Sequence, residues 1–130
     1  MIVLDARVLI AFLALDDPHH SAADRLLLEA IDSGTSLVVN TVTLAECLVL
    51  PTRQDRVAMI VTKLVALGVV EVAFPAGAAE RMAQLRVDTG LKLPDCIVLL
   101  TALHQRGTLA TFDDRLRRAA LDQGVPVQPR

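Results

Sequence analysis

Five acidic residues stand where chemistry could be done: Asp5, Glu46, Asp95, Asp113 and Asp114. Each adjoins an apolar run rather than a polar stretch. Asp5 follows Ile2-Val3-Leu4, a candidate buried strand, and Glu46 lies among Leu44, Ala45, Cys47 and Leu48. Asp95 opens the most hydrophobic helical stretch, Cys96 to Leu103, and the last pair lies just beyond Leu109-Ala110. Singly, each acid has an ordinary structural use. Thr43-Leu44-Ala45-Glu46 and Thr111-Phe112-Asp113-Asp114 both fit capping boxes. Asp95 suits the dipole of a first helical turn, and Asp5 could cap the helix that follows it. Together they point elsewhere. Carboxylates buried among apolar helices cost roughly several kcal/mol per uncompensated charge, so a counter-cation is expected. Among neighbouring basic residues only Arg7 offers one. All-oxygen ligation selects a hard cation, Mg²⁺ or Mn²⁺, and such ions serve phosphodiester hydrolysis by binding phosphate oxygens and activating water.

The elements that must position these acids alternate along the chain. Strands are expected at Ile2–Leu4, Ser36–Val39, Val69–Ala73, Leu109–Ala110 and Val125–Val127. Helical patterns fill the intervals: Val8–Leu15, His19–Ile31, Asn40 to Leu50 with Pro51 as its stop, Asp55–Leu67, Pro75–Val87, Pro94–Leu103 and Asp113–Leu121. This alternation predicts an α/β fold, a parallel sheet with helices on both faces and right-handed crossovers. Loops after the first, second and fourth strands then emerge at one edge of the sheet, where open α/β folds bind ligands. With no linker, repeat or low-complexity segment, residues 1–130 read as one domain.

Composition narrows the function classes. The chain is 53% hydrophobic but 2% aromatic, so Leu, Val, Ala and Ile must build the core. A net charge of −2 gives no bulk attraction for nucleic acid; a local patch or a bridging metal would have to supply it. No apolar run approaches the roughly 18 residues of a membrane span, and no leader pattern precedes Val8–Leu15, so a cytoplasmic protein is expected. Cys47 and Cys96 read as buried thiols, with no partner spacing for zinc or for a nucleophile. His19 and His20 read as solvated or capping residues, and His104 as a helix-dipole partner. Arg115, Arg117 and Arg118 read as a solvated face, with a minority role on RNA phosphates.

In order along the chain, Val3-Leu4-Asp5-Ala6 with Val8-Leu9-Ile10, then Thr43-Leu44-Ala45-Glu46, then Leu93-Pro94-Asp95-Cys96-Ile97-Val98, then Leu109-Ala110-Thr111-Phe112-Asp113 resemble the motifs of PIN domains. The small size is similar to that of VapC toxins from bacterial toxin–antitoxin pairs. The resemblance implies a three-layer α/β/α fold with a mostly parallel five-stranded sheet, and a metal-dependent endoribonuclease. Asp5, Glu46, Asp95 and Asp113 would form its Mg²⁺ or Mn²⁺ site, with Asp114 and Thr111 as accessories. It further implies in-line attack of water on RNA that leaves 5′-phosphate and 3′-hydroxyl ends, a homodimer, and inhibition by a small cognate antitoxin. Arg7 departs from the pattern, since the family usually keeps a small hydroxyl or amide there. An arginine could turn outward to an RNA phosphate, as could Arg115, or pair with the acids and weaken metal binding, or mark a disabled enzyme. A PIN-fold binding module is therefore the alternative. A receiver-type domain lacks its expected lysine after the last strand, and a haloacid-type phosphatase lacks its second aspartate, where Arg7 stands.

Overall fold

The computed structural model describes residues 1–130. Its strands are β1 (Ile2–Leu4), β2 (Leu37–Asn40), β3 (Val69–Val72), β4 (Thr108–Ala110) and β5 (Val127–Gln128). Its helices are α1 (Ala6–Leu13), α2 (His20–Asp32), α3 (Thr41–Arg53), α4 (Val57–Ala66), α5 (Ala78–Thr89), α6 (Leu93–Gln105) and α7 (Asp114–Asp122). All strand pairs are parallel, in the order β3-β2-β1-β4-β5. That order differs from the 2-1-3-4-5 arrangement of receiver-type domains.

Strand alternation splits the core into two layers. Ile2, Leu4, Leu37, Val39 and Ala110 face the helices α1 to α4, meeting Val8, Leu9, Leu27 and Leu64. Val3, Val38, Leu109 and Val127 face the other way, against Leu99 and Leu100 of α6, Leu116 of α7 and Leu85 of α5. Residues of successive parity point to opposite faces of a strand, so runs apolar at every position, such as Ile2-Val3-Leu4, belong to strands covered on both sides.

Several helix boundaries differ from expectation. The first helix begins at Ala6 rather than Val8, because the Asp5 carboxylate caps it by accepting from the Ala6 N–H at 2.8 Å. Arg7 therefore lies in its first turn. The third helix runs through Pro51 to Arg53. Near a helix end proline removes only the bond its own N–H would give, and Arg56 N–H closes the terminus on the Pro51 carbonyl at 2.8 Å. Asp88 and Thr89, beyond the expected helix end at Val87, finish α5. Gln84 Nε2 donates to Asp88 at 2.8 Å, and Gly90 at φ 71° ends the helix. The capping boxes are also displaced: Asn40 caps α3, and Thr43 lies fully buried inside it.

The chain runs outward from β1 through β2 to β3, then returns to place β4 on the other flank of β1. In register, Leu4 pairs with Ala110, so Asp5 and Thr111 are the first residues beyond the paired ends. This reversal of strand order is where an open parallel sheet leaves a crevice.

Candidate active site

Asp5 is the acid the fold buries. Its side chain is 6% exposed at the carboxyl end of the central strand. One oxygen accepts from Ala6 N–H, and the other accepts from the Thr111 hydroxyl at 2.8 Å. The same hydroxyl accepts from the Asp113 N–H at 3.1 Å, so its single proton is committed to Asp5. Thr111 thus ties the first acid to the loop that carries the last. Burial pushes the Asp5 carboxyl up to about 6 despite the Thr111 hydrogen bond, with the charges of Asp95 and Asp113 adding to the rise.

The other acids surround it at different depths. Asp95 is half-buried in the first turn of α6. Burial raises its carboxyl and Asp113 raises it further, while Arg115 and Lys92 oppose them. Glu46 lies exposed on α3, contrary to the expected apolar burial, because that helix turns Thr43, Leu44, Cys47 and Leu48 to the core and leaves Glu46 off that face. Desolvation nevertheless raises its carboxyl, as does the charge of Asp95. Asp113 is exposed and caps α7, accepting from Leu116 N–H at 2.9 Å. Asp114 is exposed in the following turn, and the charge felt by Asp5 and Asp95 comes from Asp113. Asp5, Glu46, Asp95 and Asp113 therefore form one electrostatically linked group. As they stand, no three of them close into a ready ligand set. The donor chemistry still fits a hard cation: every donor is a carboxylate oxygen, Asp5 keeps a lone pair free on each oxygen, and like charges converge without a basic partner in contact.

The basic residues settle differently from one another. Arg7 is exposed and makes no ion pair with the acids; the one contact-distance pair is His19 with Asp17, at 3.9 Å. Arg115 faces Asp95 electrically, and so does Lys92, which was not foreseen as part of the site. Arg117 is structural, since its guanidinium donates to the Thr111 carbonyl at 3.2 Å and to that of Pro129. Cys47 donates to the Ala6 carbonyl at 3.7 Å, and burial pushes its thiol up to about 12, so it is no nucleophile.

Two features were not legible as site components. The His19 ring stacks on Phe112, with centroids 4.7 Å apart, beside Asp113. An apolar groove of about 530 Å³ opens beside Glu46, lined by Ile10, Leu13, Leu15, Leu50, Pro51 and Ile60. The sole early signal of the stack was an aromatic next to a site acid.

The model of the PIN domain family matches residues 2–121. The chain belongs to the PIN domain family. No curated protein matches it by sequence. Solved structures share the PIN fold at low identity. The VapBC2 assembly of Rickettsia felis, bound to a DNA fragment from its promoter, is 15% identical with a TM-score of 0.74, covering 98% of both chains. The sarcin–ricin loop cleaving toxin VapC20 of Mycobacterium tuberculosis is 16% identical with a TM-score of 0.71, covering 92% of this chain and 95% of that one. FitAcB of Neisseria gonorrhoeae is 21% identical with a TM-score of 0.71, covering 98% of this chain and 96% of that one. A PIN assignment sets aside the receiver and phosphatase alternatives. It also agrees with the three-layer fold implied by the sequence motifs.

Proposed function

We propose that this PIN domain is a metal-dependent endoribonuclease, the toxin of a toxin–antitoxin pair acting in the cytoplasm. The observation that carries the reading is Asp5: a buried carboxylate at the crevice between β1 and β4, fixed by Thr111, raised by its burial and further by two nearby acids. Asp5, Asp95 and Asp113 would hold Mg²⁺ or Mn²⁺, with Glu46 on the rim. When bound, such an ion polarises a phosphate and acidifies a water at neutral pH. The chain's own part is positioning. Thr111 keeps the Asp5 carboxylate in one orientation and holds the Asp113 backbone beside it. Glu46, on the rim and with its carboxyl raised by burial and by the charge of Asp95, is suited to accept the proton of an attacking water. Arg7, which shares a cleft with Asp113, and Arg115, which acts on Asp95, are both exposed and would supply cations for the flanking RNA phosphates.

The printed descriptions of similar folds, a toxin that cleaves the sarcin–ricin loop and a VapBC assembly, support this reading. The apolar groove beside Glu46 is suited to a small antitoxin whose apolar side chains would bring a basic group to the acids. Leu15, Leu50 and Val65, strongly exposed, are consistent with a homodimer or an antitoxin covering them. The test is incubation of mixed RNAs with Mg²⁺, Mn²⁺ or a chelator. New 5′-phosphate ends that vanish with the chelator are expected; cleavage that persists in chelator would refute metal dependence.

A further inference from the structure

We infer that the cleft between the start of α1 and the β4–α7 loop binds an unpaired nucleobase next to the scissile phosphate, with His19 as its stacking surface. The inference rests on the ribonuclease reading and adds a subsite to it. The cleft, about 210 Å³, is lined by Arg7, Asp17, His19, Phe112 and Asp113. Only three phenylalanines and three histidines exist in the chain, with no Trp or Tyr. One of each forms this stack, with rings 19° from parallel.

The platform is built rather than incidental. Phe112 packs partly on the core beneath α1, which fixes the lower ring. The Asp17 carboxylate accepts from the His19 backbone N–H at 2.8 Å, which anchors the segment carrying the upper ring, and lies 3.9 Å from its ring nitrogen. His19 is nonetheless 54% exposed and lines the cleft, which leaves ring surface not covered by Phe112 for a third ring. A base added there would continue the stack, and stacking on such rings tolerates any base because each has a π-face. Arg7 on the cleft wall offers a cation to the adjoining phosphate, and Asp113 on the same wall joins the cleft to the acidic group. In a chain of net charge −2, a rigid stacking surface supplies affinity that bulk charge does not. A duplex keeps its bases stacked on one another, so the base taken by this cleft is an unpaired one.

The test uses the full chain carrying Asp5→Asn, so that RNA is bound without being cut. A short single-stranded oligoribonucleotide carries a fluorescent adenine analogue scanned through its positions. Binding should quench the analogue at one position. Adding His19→Ala should abolish that quenching and weaken binding about tenfold, while His19→Phe restores both. A duplex of the same sequence should bind without dependence on His19. Unchanged quenching and affinity in the His19→Ala protein, with its fold verified by circular dichroism, would overturn the inference, as would failure to bind single strands. Cleavage by the unsubstituted chain is scored separately. Cutting with His19-independent KM sinks the subsite alone; His19-dependent binding without any cutting sinks the nuclease reading alone.

Discussion

Asp5 is held at about 6 when folded, against 3.8 for an unperturbed aspartate, so the folded chain holds this proton more tightly than the unfolded one. Below about pH 4 both states are protonated and its contribution to stability is fully present. As pH rises through about 6 the fold must ionise a buried group, and about 3 kcal/mol of stability is lost by neutral pH. Asp5→Asn removes that loss: its amide oxygen keeps the Ala6 cap, and its NH₂ can donate to the Thr111 hydroxyl. In chelator at neutral pH the variant should melt several degrees above the unsubstituted chain, and the gap should close near pH 4, as read by calorimetry. A variant that melts lower at neutral pH would contradict the burial argument. Thr111→Val tests the orienting hydroxyl. It leaves the Asp5 oxygen and the Asp113 N–H without their partner, at a cost of about 1–3 kcal/mol, and should lower kcat more than it raises KM.

At the scale of elements, the pairing of β1 with β4 depends on how closely the chain leaving α6 can approach the first strand. A Cβ on Gly107 would lie 3.1 Å from the Met1 carbonyl oxygen and 3.3 Å from Val3 Cγ2. Gly107→Val should therefore push the start of β4 away from β1, at the edge opposite the acids, and lower the melting temperature; an unchanged melting curve would show that the strands can yield. The strands and the order of helices were legible in sequence because fully apolar runs and three- and four-residue periodicities are strong local signals. Strand pairing was not, since nothing local says that β4 returns to the far side of β1. Helix ends were misplaced where side chains outside the pattern decide them: the Asp5 cap, the last turn after Pro51, and Asp88 bound by Gln84. The acids were found because each adjoins an apolar run. Their depths were not, and Glu46 emerges exposed because α3 buries so narrow a face. The His19–Phe112 stack joins residues from distant parts of the chain, and only the place of Phe112 beside Asp113 marks it in the sequence.

At the scale of the molecule, a net charge of −2 and few arginines near the acids limit how strongly charge alone would hold the proposed RNA substrate. Association should depend weakly on salt, with a log–log slope of about one to two, and Arg7→Ser should reduce it by about one. A slope like that of a strongly basic binder, measured by fluorescence anisotropy, would mean that an unrecognised patch carries the affinity. No helix is long and apolar enough to cross a membrane. The exposed apolar groove beside Glu46 instead offers a protein partner direct access to the acids. All these properties converge on one claim, that Asp5 and Asp95 work as a pair to support metal-dependent RNA cleavage. Single-turnover cleavage of an RNA by the unsubstituted chain, Asp5→Asn and Asp95→Asn, each with Mn²⁺, measures it directly. Loss of at least about a hundredfold in rate in both variants, with the fold intact, is the predicted result. Cleavage at the unsubstituted rate in either variant would contradict it.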